Sequence, residues 1–138
     1  MIRRSPLVLL LLTIFLSGCM TNLLRPPRDE WPEIGHEFAK SLRWGGPILA
    51  ATFFTENARP AFLAAYGDDQ GLQMTNVRHD AGGPAVGDKV QGVLTVEYYR
   101  SPSVSVKNNH IPLEWSCIEA GRFLPCRWQI TTLLHRLP

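Results

Sequence analysis

No apolar run in this chain is long enough to cross a bilayer, which takes about 20 apolar residues. The longest, Leu7 to Leu16, is broken by Thr13 and falls well short. Histidine is scarce: His36, His79, His110 and His135 are scattered, with no pair at helical or hairpin spacing. A metal site needs three or four ligands at workable spacing, so none is expected. There is no Gly-x-Ser-x-Gly, no Walker-type loop and no Cys/His constellation. Gly82-Gly83 lies in a loop with no helix behind it, which argues against a phosphate cradle. No internal repeat or low-complexity tract occurs. With no catalytic constellation and no cofactor signature, the chain reads as a non-enzyme that needs no cofactor.

Charge of one sign is also missing. The formal net charge of +2 rests on Arg3 and Arg4. Without them, twelve basic residues face twelve acidic ones. That balance lacks the basic patch or stripe that nucleic acid demands, so no nucleic-acid partner is expected.

What is present at the start is a positive head, Arg3-Arg4, followed by the apolar core Leu7 to Leu16 and then Ser17-Gly18-Cys19. Head and core have the layout of a secretory signal. Leu16-Ser17-Gly18-Cys19 resembles the lipobox of bacterial lipoproteins, in which the cysteine is acylated and becomes the first mature residue. The resemblance implies a bilayer partner reached through Cys19, since several acyl chains hold a protein where one would not. It also places the mature chain in the cell envelope. Met20 is not the aspartate that resembles an inner-membrane retention signal, which tilts the expectation to an outer membrane, facing the periplasm. Residues 1–18 are then a lipoprotein signal peptide and 19–30 a tether, marked by Pro26-Pro27 and flanking charges. Residues 31–138 make one domain, of a size that buries a modest core.

A helix should begin near Pro32, with Ile34, Phe38 and Leu42 as one apolar stripe. Gly45-Gly46-Pro47 ends it and starts a second helix whose expected buried side is Ile48, Leu49, Ala51 and Phe53. A short third helix holds Phe62, Leu63 and Tyr66 and stops at Gly67, the usual cap residue. Strand chemistry follows. "LQMTNVRH" is a first strand, and "DAGGPAVGD" is a loop dense in turn formers. "KVQGVLTVEYYR" is the clearest strand, with Val90, Leu94, Val96 and Tyr98 on one face and Lys89, Gln91, Thr95 and Glu97 on the other. Ser101-Pro102-Ser103 turns the chain. In "VSVKNNHIPLEWSC" the apolar positions change parity between Val106 and Ile111, which predicts a bulge at Asn108–His110.

Export makes a disulfide between Cys117 and Cys126 the default. A hairpin turning at Gly121-Arg122 would oppose Cys117 to Cys126, Trp115 to Trp128 and Leu113 to Ile130, all on one face. The crosslink closes a loop of roughly ten residues and contributes about 3 kcal/mol on the chain-entropy model.

Helices first and a meander of about four antiparallel strands after them give an α+β fold. The pair "EFAKSLRWGGPILAATFF", the bulged long strand and "LEWSC…CRWQI" resemble the cone-shaped nuclear transport factor 2-like superfamily. That resemblance implies helices packed into a strongly curved sheet, and a tryptophan on each of the last two strands looks like small exported lipoproteins of this kind. A cystatin-like helix on a sheet fits nearly as well. Catalytic members of the superfamily place acid-base residues inside the cone, which makes Tyr98, His79, Asp80, Glu97, His110 and Glu114 the residues to weigh. His79 and Asp80 are strand neighbours and point to opposite faces. Glu97 reads as a solvated carboxylate, His110 as a loop histidine, and Tyr98 as a core tyrosine with its hydroxyl bonded locally. Tyr98, Trp115 and Trp128 line either a pocket or a core. Two functions follow from this reading. One is an envelope lipoprotein with a non-catalytic protein-binding or assembly role, using its convex sheet or tether. The other is a small-molecule module, binding or isomerising an apolar ligand between helices and sheet. The bulk of Phe38, Phe53, Phe54, Phe62, Trp115 and Trp128 favours the first.

Overall fold

The computed structural model describes residues 30–121 and 124–138. The expected signal peptide, Cys19 and nearly all of the expected tether lie outside the described residues, as does Arg122 of the expected hairpin turn. The fold is α+β: helices come first, then a curled four-stranded antiparallel sheet.

Helix α1, Trp31–Lys40, carries a proline in its first turn, an acid near its start (Glu33) and a base in its last turn (Lys40). These match the helix dipole and the free first-turn amides. It buries Trp31, Gly35, Phe38 and Ala39, then runs into a π-helical turn, Ser41–Gly45, that buries Leu42. Gly46 then takes φ = 77°, a left-handed value that side chains resist, and swings the chain into α2, Gly46–Ala50. A 3₁₀ turn, Ala51–Phe53, follows.

That swing corrects the expected inner face. Ile48 and Leu49 are 78% and 51% exposed, while Ala50, Ala51 and Phe54 are buried. The left-handed residue resets the helical phase, so the apolar spacing does not carry across it. Helix α3, Arg59–Tyr66, buries Phe62 and Tyr66. Gly67 ends it in a right-handed conformation, not as a left-handed cap, and its amide donates to the Leu63 carbonyl at 2.7 Å.

Strands β1 (Leu72–Ala81), β2 (Lys89–Arg100), β3 (Lys107–Ile118) and β4 (Arg127–Ile130) pair in sequence order. On β2, Val90, Leu94, Val96 and Tyr98 are buried against the helices. The expected bulge at Asn108–His110 is absent: β2 and β3 pair without a break from Lys89↔Ser116 to Tyr98↔Lys107. The parity change has a simpler cause. Val104 and Val106 precede the strand and are exposed, so only Ile111, Leu113, Trp115 and Cys117 belong to its inner face. The irregularity lies in β1 instead, between Met74 and Asn76, and it lets Leu72 and Met74 share the inner face with Val77 and His79.

The last hairpin also departs from expectation. Cys117 lies opposite Trp128 and Trp115 opposite Ile130, two positions from the expected register. The connection between β3 and β4 is longer than a tight turn, and Cys126 sits just before β4. A slip of two keeps every side chain on its face. Cys117 and Cys126 therefore still bridge, diagonally, with Cα atoms 5.3 Å apart.

Candidate functional site

The inner face of the sheet is filled with aromatic rings. Phe54 stacks on Phe62 with centroids 4.4 Å apart, and the edge of Phe38 meets Phe54 at 5.7 Å and Trp115 at 5.8 Å. Tyr98, Trp115 and Trp128 are all fully buried in this cluster, so the three candidates for a pocket or a core stand in the core. Edge-on rings at these distances add attraction beyond the area they bury.

At one end of the cluster lies a polar group that the sequence reading set aside. His79 sits where α1 crosses β1, between Trp31 and Trp115, each ring at 5.5 Å and nearly perpendicular to it. Trp115 Nε1 donates to His79 Nε2 at 3.1 Å. An indole N–H only donates, so Nε2 is the unprotonated nitrogen of the ring. Burial holds the His79 pKa below its ordinary 6.5, against a smaller upward pull from Asp80. Two glycines make the room. A methyl group on Gly35 or on Gly92 would stand 2.4 Å from a His79 ring atom. Asp80 points away from this cluster and pairs with Arg78 at 3.1 Å on the exposed side.

The open end of the curl is strapped by residues 134–138. Leu134 and Leu137 are buried. The Tyr66 hydroxyl donates to the His135 carbonyl and the Tyr98 hydroxyl to the Pro138 carbonyl, both at 2.7 Å. The Tyr98 partner is thus forty residues away along the chain, not local as expected. Burial, then the neighbouring Tyr98, pushes the Tyr66 pKa up to about 12. Beside it, Asp69 is clamped by Arg100 and Arg136, and Arg100 also reaches the Leu137 carbonyl at 3.3 Å. The hydrogen bond from Arg100 is the main reason that the Asp69 pKa is lowered.

The outer face of the sheet is polar. Lys89 Nζ meets Glu114 Oε1 at 3.0 Å, and Thr131 Oγ1 donates to the same oxygen at 3.2 Å. The Lys89 contact leads in lowering the Glu114 pKa. Thr95 Oγ1 and His110 Nδ1 lie 3.1 Å apart. His110 is therefore a strand residue on this face, not a loop residue at a bulge. An open cleft of about 490 Å³ runs between the Gly82-Gly83 loop and Lys89, Gln91 and Glu114. Lys89, the cation among the described residues that line it, is already paired with Glu114, which leaves a poor seat for a phosphate. Among the described residues, no three of His, Cys, Asp and Glu gather to hold a metal ion, and no helix is long and apolar enough to cross a membrane.

A second surface breaks the pattern of apolar inside and polar outside. Trp44 on the π turn is 73% exposed, next to Ile48 and Leu49 of α2. The Arg43 guanidinium lies 4.5 Å from the centre of the Trp44 ring. Trp44, Leu49 and Phe53 wall a shallow groove with Lys40 and Glu37 at its margin. Sequence reasoning missed this corner because the spacing of its apolar residues looks like that of a buried helix.

No family model matches the chain, and neither does any curated protein or solved structure. What the molecule does must therefore be argued from the geometry above.

Proposed function

We propose that this chain is a membrane-anchored envelope lipoprotein, held through acylated Cys19, whose domain has a non-catalytic protein-binding or assembly role. The observation that carries the proposal is Leu16-Ser17-Gly18-Cys19, set twelve residues ahead of the first helix at Trp31. That order puts a lipid attachment point, a spacer and a folded domain in series. The bridge between Cys117 and Cys126 supports export to an oxidising compartment. It also leaves Cys19 as the one cysteine outside that bridge. The order of helices and antiparallel strands supports the resemblance to the nuclear transport factor 2-like superfamily, which stays part of this reading, as does the outer membrane as the site of attachment.

The interior packing supports a binding role over a ligand-holding one. Ligand pockets usually occupy about 300–1,000 Å³, and Phe38, Phe54, Trp115 and Trp128 occupy the space between helices and sheet. The polar outer face, with Arg78, Asp80, Lys89, His110 and Glu114, remains the surface for a protein partner.

The test is Cys19→Ala in the native host. The expected outcome is a precursor with its signal uncut and with no attached acyl mass. Normal processing and unchanged acyl mass on the variant would refute the anchor.

A further inference from the structure

We propose that the exposed corner formed by Trp44, Ile48 and Leu49 is the face that the domain rests on the lipid bilayer. This rests on the anchor reading above and adds an orientation to it. The three side chains sit on one short stretch whose neighbours Leu42, Ala50 and Ala51 are buried, so the exposure is local and directional. Their chemistry suits the boundary between hydrocarbon and water. Tryptophan has an apolar body and a polar N–H, and arginine buries its stem while its head stays wet. Arg43 lies over the Trp44 ring, and Lys40 stands at the margin of the same groove. Lys40 and Glu37 balance within the groove, and Arg43 over the Trp44 ring adds the cation that favours an anionic lipid surface.

Reach and area both select this occupant. The twelve residues from Cys19 to Trp31 span up to about 40 Å when extended. From Trp31 to Trp44 the helical path is about 20 Å. The tether is thus long enough for α1 to lie along the bilayer with the corner touching it. A specific protein interface buries roughly 800 Å² on each partner. Three side chains fall short of that even at the ~150–250 Å² of an aromatic. A contact made beside an existing anchor needs far less, because the tether keeps the local concentration of the surface high.

Trp44 is also its own reporter, because Trp31, Trp115 and Trp128 are buried. The experiment uses the acylated mature protein, extracted from its membranes and reconstituted into vesicles of phosphatidylethanolamine and phosphatidylglycerol with dibrominated chains. The expected result is quenching of tryptophan emission by the brominated lipid, with protection from aqueous iodide. The lipid quenching should vanish in Trp44→Phe, whose remaining tryptophans are buried and stay shielded from iodide with or without vesicles. A second variant, Ile48→Asp with Leu49→Asp, should still float with the vesicles yet lose the lipid quenching. Protein that floats but keeps Trp44 open to iodide would overturn the proposal and leave the anchor standing. Trp44 shielded from iodide in native membranes but unquenched by brominated lipid would also overturn it, in favour of a protein cover. Protein that carries no acyl mass and does not float would overturn the anchor and the orientation together.

Discussion

The inner face of the sheet and the corner after α1 use the same residue types in opposite ways. Inside, Trp31 and Trp115 hold His79 between them, and Trp115 also meets Phe38. At the corner, Trp44 meets water and an arginine. A tryptophan in the first setting is bound to the fold by packing and a hydrogen bond, whereas one in the second is available to something else. The difference comes from the backbone. A strand keeps its inner face for twelve residues along β2 and along β3, while Gly46 breaks the helical phase after a single π turn.

The largest test of the contrast substitutes one tryptophan from each region. Trp115→Ala removes a fully buried ring and strands the His79 nitrogen, and should cost about 3–5 kcal/mol. Trp44→Ala should stay within about 0.5 kcal/mol, as exposed positions do. Urea unfolding followed by circular dichroism measures both, and equal losses would break the comparison. A smaller effect sharpens the inner region alone. Gly92→Ala places a methyl group against the His79 ring and should cost about 1–3 kcal/mol. Combined with His79→Ala, its cost should shrink, since the clash has gone; strict additivity would show that His79 does not set the need for glycine.

The smallest effect is one of pH. Folded His79 binds its proton less readily than an unfolded histidine, whose ordinary value is 6.5. The unfolded state therefore gains protons first as pH falls, and stability declines below about 6.5. Asp69 and Glu114, both lowered, have the same sign in a more acid window, so their contribution is lost as pH falls below the ordinary carboxylate range. His79→Gln should flatten the upper window and keep the lower one. A wild-type stability unchanged between about pH 7 and 5 would count against this role for the half-buried His79.

Strand β2 was legible to its end residues because its alternation is regular and both faces differ in chemistry. The α+β order and the cysteine bridge were legible for similar local reasons. Val106 misled because an apolar residue in a turn looks the same as one in a strand until pairing begins at Lys107. Ile48 and Leu49 misled because spacing reports helical phase only while the phase is unbroken. The hairpin register was misread since a long connection does not fix pairing as a two-residue turn does. The His79 cluster draws on α1, β1, β2 and β3 together, through Gly35, His79, Gly92 and Trp115. No window along the chain contains it.

The strap formed by residues 134–138 bears on the order in which the domain closes. Its partners lie far back: Tyr66 joins His135, Tyr98 joins Pro138, and Arg100 joins Leu137. A chain that is made, and crosses a membrane, from its N-terminal end presents the helices and β2 before the segment that seals them. Until it arrives, the hydroxyls of Tyr66 and Tyr98 lack their native acceptors and the aromatic interior is open at that end. The domain passes through a loosely closed stage set by its own topology, and residues 134–138 lock the elements that precede them.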